Sequence, residues 1–265
     1  MPDFATFLVL TAAMGFSIFL SLPVILIKGM RSRTIVFLNA AAIGILIFLL
    51  ADIFGDVAPL ISASVTYFTN PTKDLLFGGS AAGIFTALYF IDQRPPAIEP
   101  EGGSGAAAAP GIASPARLAA IIALAIGLQN LTEGLFFGAN WNSGSLGLLT
   151  VTFLGFFLQN FTEGFPIVSP YFGQTIRTWG TIAALFLLGG VPTIIGGGIG
   201  YFYSNATLAL VFDALAIGAI LYSILPMLKV ALRTEGPRTL SYHRMRLVYF
   251  GVLVGFLVGF LVNAF

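Results

Sequence analysis

Long apolar runs, each closed by a short polar break, take up most of this chain. Crossing the roughly 30 Å hydrocarbon layer of a bilayer takes about 20 helical residues, because each residue adds about 1.5 Å. Eight runs fit that requirement: Phe4–Ile27, Thr34–Phe54, Leu75–Ile91, Ala116–Ala139, Leu146–Val168, Thr178–Phe202, Ala206–Leu228 and Leu247–Ala264. The pattern predicts an all-α, polytopic membrane protein of eight transmembrane helices, residues 1–265 forming one transmembrane domain. The first run is too long for a signal peptide, carries Asp3 where such a peptide is basic, and is followed by Lys28, Arg31 and Arg33. It is therefore expected to stay in the mature protein.

Composition removes the soluble alternative. Hydrophobic residues make up 57% of the chain and charged residues 9%, with a mean hydropathy of +0.96, whereas a soluble domain is about 25% charged. The absence of cysteine excludes disulfides and thiolate metal ligands.

Charge then orients the spans. Eleven of the twelve basic residues, Lys28, Arg31, Arg33, Arg94, Arg117, Arg177, Lys229, Arg233, Arg238, Arg244 and Arg246, fall in the breaks after spans one, three, five and seven. Only Lys73 falls on the other side, so the basic breaks are expected in the cytoplasm and both termini outside. The longest break, 93–115, is rich in Pro, Gly, Ala and Ser and reads as a flexible cytoplasmic linker. His243, the one histidine, stands beside arginines and reads as an interfacial residue. The glycine-rich stretch Gly189–Phe202 lies inside a span, where small residues permit close helix packing rather than phosphate binding.

Against this background the polar positions inside the spans stand out. Five of eleven acidic residues, Asp52, Asp56, Glu133, Glu163 and Asp213, fall within spans or at their edges, and no Lys or Arg shares their depth. A buried carboxylate needs a proton, a partner or a cation, and the missing basic partners favour a cation over a salt bridge. A repeat sharpens this: residues 128–134 read LQNLTEG and 158–164 read LQNFTEG. Positions i and i+4 share a helical face, so Gln129 meets Glu133 and Gln159 meets Glu163, with Asn130 and Asn160 about 100° around. The short connection between spans four and five makes an antiparallel hairpin in which the two copies can face each other. Two carboxylates, the carboxamides and the Thr132 and Thr162 hydroxyls would form an oxygen-rich site suited to divalent cations. The alternative is a structural zipper of hydrogen-bonded amides with protonated glutamates. The same segments match the N-x-T glycosylation pattern at Asn130 and Asn160, where membrane burial makes it inaccessible; Asn205-Ala-Thr is the one sequon in an outward break.

The two motifs and the span count together resemble the Zrt/Irt-like (ZIP) metal transporters. Members of that family carry H-N-x-P-E-G in span four and H-x-x-P-E in span five; here QNLTEG and QNFTEG occupy those places, with Asn130, Glu133, Gly134, Asn160, Glu163 and Gly164 matching. The likeness extends in topology over nearly the whole chain, including DALAIGAILYSILP in span seven. Three departures stand beside it. Gln129 and Gln159 replace the family's histidines, Thr132 and Thr162 its prolines, and Val191 the glutamate usually found before the span-six proline.

What the resemblance implies is a transporter of the cell membrane that moves a divalent cation of the zinc, iron or manganese class towards the cytoplasm. Glu133 and Glu163 would hold the ion, with Gln129, Asn130, Gln159 and Asn160 as amide ligands or donors and Asp52, Asp213, Thr132 and Thr162 along the pathway. With both imidazoles gone, oxygen ligands shift the expected preference away from zinc. The metal is substrate rather than cofactor, no enzymatic activity is expected, and the partners are the cation and the lipid bilayer, with no nucleic acid and a homodimer left open. A non-transporting scaffold or metal sensor, or a proton-coupled carrier of another solute, are the competing expectations.

Overall fold

A computed structural model describes residues 3–25, 31–61, 70–92, 114–141, 146–172, 179–203, 205–232 and 242–263. Every regular element among them is helical: α1 (Phe4–Phe16), a 3-10 turn (Ser17–Ser21), α2 (Leu22–Ile25), α3 (Ser32–Ile61), α4 (Pro71–Asp92), α5 (Pro115–Trp141), α6 (Leu146–Val168), a second 3-10 turn (Ser169–Tyr171), α7 (Trp179–Phe202), α8 (Ala206–Leu232) and α9 (Tyr242–Asn263).

Local chemistry sets where these helices begin. Asn70 and Ser114 each accept a hydrogen bond from the backbone N–H three residues on, that of Lys73 at 3.2 Å and of Arg117 at 3.3 Å. Each is followed by a proline, whose missing N–H costs nothing in the first helical turn. Asn205 Oδ1 caps α8 through the N–H groups of Thr207 and Leu208, and Asp3 Oδ1 caps α1 through Thr6. The Asn70 and Ser114 caps move two starts outward from the apolar runs, α4 beginning at Pro71 rather than Leu75 and α5 at Pro115 rather than Ala116. α9 begins at Tyr242 rather than Leu247, and α3 runs from Ser32 past Phe54 to Ile61.

The first span departs most from expectation, because Phe4–Ile27 is not one α-helix. The Ser17 and Ser21 hydroxyls donate to the carbonyls of Met14 and Ile18, three residues back, at 2.7 and 2.8 Å. Side-chain bonds to nearby carbonyls compete with the α-helical ladder, and the backbone tightens into a 3-10 turn there. By contrast α6 keeps the expected ends, Leu146 and Val168. The linker expected at 93–115 lies outside the described residues, apart from Ser114 and Pro115, which open α5.

By length and composition, seven helical stretches among the described residues are long and apolar enough to cross a membrane: Phe4–Ser21, Ser32–Pro59, Pro71–Ile91, Pro115–Trp141, Trp179–Phe202, Ala206–Lys229 and His243–Val262. The expected eighth, α6, has 23 residues; that is about 34 Å of helix at 1.5 Å per residue. Its QNFTEG segment dilutes its hydropathy. The longer α5 carries QNLTEG and still offers a sufficiently apolar stretch.

α5 is the hub, packed by α7, α8, α6 and α1, while α3 packs on α9, α8 and α6 and α4 lies against α8. The α5–α7 seam is closed by glycines. A Cβ on Gly134 would collide with the Thr193 carbonyl, one on Gly138 with that of Gly197, and ones on Gly196 and Gly200 with those of Leu131 and Leu135. The glycine-rich stretch thus serves helix packing, as its position in a span implied. α4 and α9 instead leave Leu75, Phe90, Tyr249, Phe250, Leu253 and Phe260 exposed, the surface a lipid-facing helix presents.

Candidate functional site

The tight α5–α7 seam and the α5–α6 hairpin bring both polar repeats into the interior. Gln129, Asn130, Glu133, Gln159, Asn160, Thr162 and Glu163 are all buried, and Asn130, Asn160 and Glu163 are fully so. The two copies meet across the hairpin: Asn160 Nδ2 donates to Glu133 Oε2 at 3.3 Å and to the Phe156 carbonyl at 3.0 Å. In the first copy Gln129 Nε2 donates to Glu133 Oε1 at 3.1 Å, the i,i+4 pairing its spacing required. Asn130 turns towards α7 and donates to the Gly189 carbonyl at 3.0 Å.

The second copy does not repeat the first. Gln159 Nε2 donates to Asp52 Oδ2 of α3 at 3.4 Å. Glu163 lies beside the amides of Asn130 and Gln159, close enough for both to stabilise its carboxylate, with Asp52 the next charge, yet no donor meets either oxygen in good hydrogen-bond geometry. The threonines are turned to their own helices: Thr162 donates to the Gln159 carbonyl at 2.8 Å and Thr132 to that of Leu128 at 3.4 Å. Pro166 has no N–H to return to the Thr162 carbonyl, so the helix next to Glu163 carries one more backbone oxygen without its usual donor.

A cavity of about 540 Å³ reaches this cluster from one end of the bundle. Gln129, Thr132, Glu133, Asp52 and Asp213 line its inner part, while Pro59, Asn140 and Asn205, at the ends of α3, α5 and α8, line the rest. Asp213 is buried and Asp52 half-buried, both pathway candidates border the cavity, and among the described residues its lining contains no basic side chain. Glu163 lies deeper and does not line it. Asp56 has no described side chain.

The cluster is unusual in what its groups lack. The oxygens of Gln129, Asn130, Gln159 and Asn160, and both oxygens of Glu163, are buried without a hydrogen-bond partner. Leaving a buried acceptor unmet costs about 1–3 kcal/mol, so several in one place call for a ligand that donates or carries positive charge. Among the described residues, no three carboxylate, imidazole or thiolate side chains gather into a ready-made metal cage, so an ion here would rely on the amides as well. The sequence missed three participants: Asp52 as the partner of Gln159, the Gly189 carbonyl as that of Asn130, and Asn140 beside the cavity. Their pairings join distant segments, and no local spacing announces them. No protein-family model matches the chain, and no curated protein matches it either.

Proposed function

We propose that the protein is a divalent-cation carrier of the cell membrane, ZIP-like in plan, with eight spans and both termini outside. It moves its ion towards the cytoplasm by exposing one interior site alternately to the two sides. The observation that carries this reading is the buried, oxygen-only cluster with unmet acceptors at the inner end of an acid-lined cavity. Glu133 and Glu163 supply the charge that draws a cation out of water, and Gln129, Asn130, Gln159 and Asn160 supply neutral oxygens or hold the carboxylates in place. Asp52 and Asp213 line the approach, where negative charge raises the local concentration of cations. Thr132 stands on the same approach and Thr162 beside the site.

Reconstituted proteoliposomes test this directly. Glu133→Ala and Glu163→Ala should each abolish uptake of manganese or zinc ions while the purified variants keep the wild-type elution profile. Uptake unchanged in both variants overturns the reading. A buried carboxyl with two unmet oxygens also suits a protonated acid, as a proton-coupled carrier would need. Solute uptake driven by a proton gradient without any divalent ion would establish that function instead. Ion binding at the site without uptake would establish the non-transporting sensor.

A further inference from the structure

The orientations of the four amides carry information beyond the existence of a site. A carboxamide nitrogen can only donate, so an NH2 group aimed at an acceptor fixes which way the amide is turned. Gln129 donates to Glu133, Asn130 to the Gly189 carbonyl, Gln159 to Asp52, and Asn160 to Glu133 and the Phe156 carbonyl. Every amide nitrogen of the cluster is engaged by protein, and every amide oxygen is left over, together with both oxygens of Glu163. The surplus is six oxygen atoms and no nitrogen or sulfur lone pair. The chain has no cysteine, and its single histidine, His243, is exposed at the start of α9, away from the cavity lining.

Metal preference follows donor type. Zinc, copper and nickel ions draw much of their affinity from imidazole and thiolate, whereas carboxylate, carbonyl and water oxygens suit magnesium, calcium and manganese ions. Among the described residues no three carboxylate, imidazole or thiolate side chains are grouped to hold one ion, so a site on the two glutamates would complete the ion's shell with neutral oxygens, the carboxamides foremost.

Resting on the cation-site reading above, we propose that the site takes hard, oxygen-coordinated divalent cations, the manganese and magnesium class, and that Gln129 and Gln159 set this choice by withholding nitrogen. Zinc still outranks manganese at any given set of ligands, so the signature is a narrow gap between the two rather than a reversed order.

The test uses the full chain, purified in detergent and stripped of metal, with free manganese followed by electron paramagnetic resonance and zinc or magnesium added as competitor. Wild type should bind manganese, release it to a millimolar excess of magnesium, and prefer zinc over manganese by no more than about tenfold. Installing imidazoles in a Gln129→His, Gln159→His double variant should widen that preference by about tenfold or more; each single His variant gives the same direction should the pair fail to fold. Glu163→Gln should weaken manganese binding at least about tenfold, because it removes one of the two glutamate charges at the ion. A wild-type preference for zinc of about a hundredfold, or a preference unmoved by the histidines, overturns the selectivity proposal and leaves the cation site standing. No divalent ion bound by wild type, or full binding by Glu163→Gln, overturns the cation-site reading as well.

Discussion

Asn130 joins two jobs at one residue: its nitrogen ties α5 to the Gly189 carbonyl of α7, and its amide stands beside Glu163. Hydrogen bonds between membrane helices contribute modestly, about 0.6 and at most about 1.7 kcal/mol each, because the unfolded chain in a membrane also finds partners. Asn130→Ala should therefore lower stability by about 1 kcal/mol in detergent-induced unfolding while weakening cation binding severalfold. A large loss of stability with binding intact would assign it to packing alone. Outside the spans, Asp3 offers a titration with a defined sign. The Thr6 hydroxyl and N–H hold its carboxyl below the usual carboxylate range. The cap then stabilises α1 above the unfolded-state pKa, and the stabilisation is lost as pH falls through the lowered folded value. Carboxyl carbon shifts of Asp3 followed against pH should show that low midpoint, and Thr6→Val should raise it. At this scale legibility depends on distance along the chain. The Gln129–Glu133 pair follows from a four-residue spacing, whereas Gln159, though beside Glu163, gives its geometric hydrogen bond to Asp52, 107 positions away, where α3 packs on α6.

Helix packing at the site depends on missing side chains, which makes glycine the informative substitution at the scale of elements. Gly134 sits one residue after Glu133, and an added Cβ there would strike the Thr193 carbonyl, a backbone atom that cannot swing aside. Gly134→Ala should force α5 from α7 and cost about 1–3 kcal/mol or more, with cation binding lost in step. Gly198→Ala, in the same α7 but with nothing within 4 Å of its Cβ, should be neutral or slightly stabilising. Equal effects at the two positions would remove the seam from the explanation. Hydropathy made most helices legible but set the starts of α4 and α5 at Leu75 and Ala116, because the capping Asn-Pro and Ser-Pro pairs at 70–71 and 114–115 lie in polar sequence that hydropathy does not count. The 3-10 turn at Ser17–Ser21 was not legible, because serine in a span bonds back to its own helix in either an α or a 3-10 geometry. Packing settles which. Gly164 of α6 lies against Ser21 and the Ile18 carbonyl, so the turn forms where the helix after Glu163 rests on the first span.

Across the whole molecule, the cavity and the charge asymmetry can be set against each other. Among the described residues, the helix ends bordering the cavity are the C-terminal parts of α3 and α5 and the N-terminal part of α8, which in the eight-span arrangement belong to the side holding one basic residue of twelve. Positive charge collects on the cytoplasmic side of membrane proteins, so under the orientation proposed above this arrangement opens to the outside. A chain without native cysteine lets that be measured by single substitutions. Ala139→Cys, on the cavity wall, should react in intact cells with a membrane-impermeant thiol reagent, whereas Arg117→Cys, at the opposite end of α5, should react only after permeabilisation. Charge adds a second discriminator. Asp52, Glu133 and Asp213 line the cavity and, among the described residues, no basic side chain does, so a cationic reagent should modify Ala139→Cys severalfold faster than an anionic one of equal size, and the difference should shrink in high salt. Saturating manganese should reduce that rate ratio by neutralising the carboxylates ahead of the reagent. Labelling of Arg117→Cys from outside would invert the orientation, and equal rates for the two reagents would mean the acid-lined cavity is not the route by which cations reach Glu133.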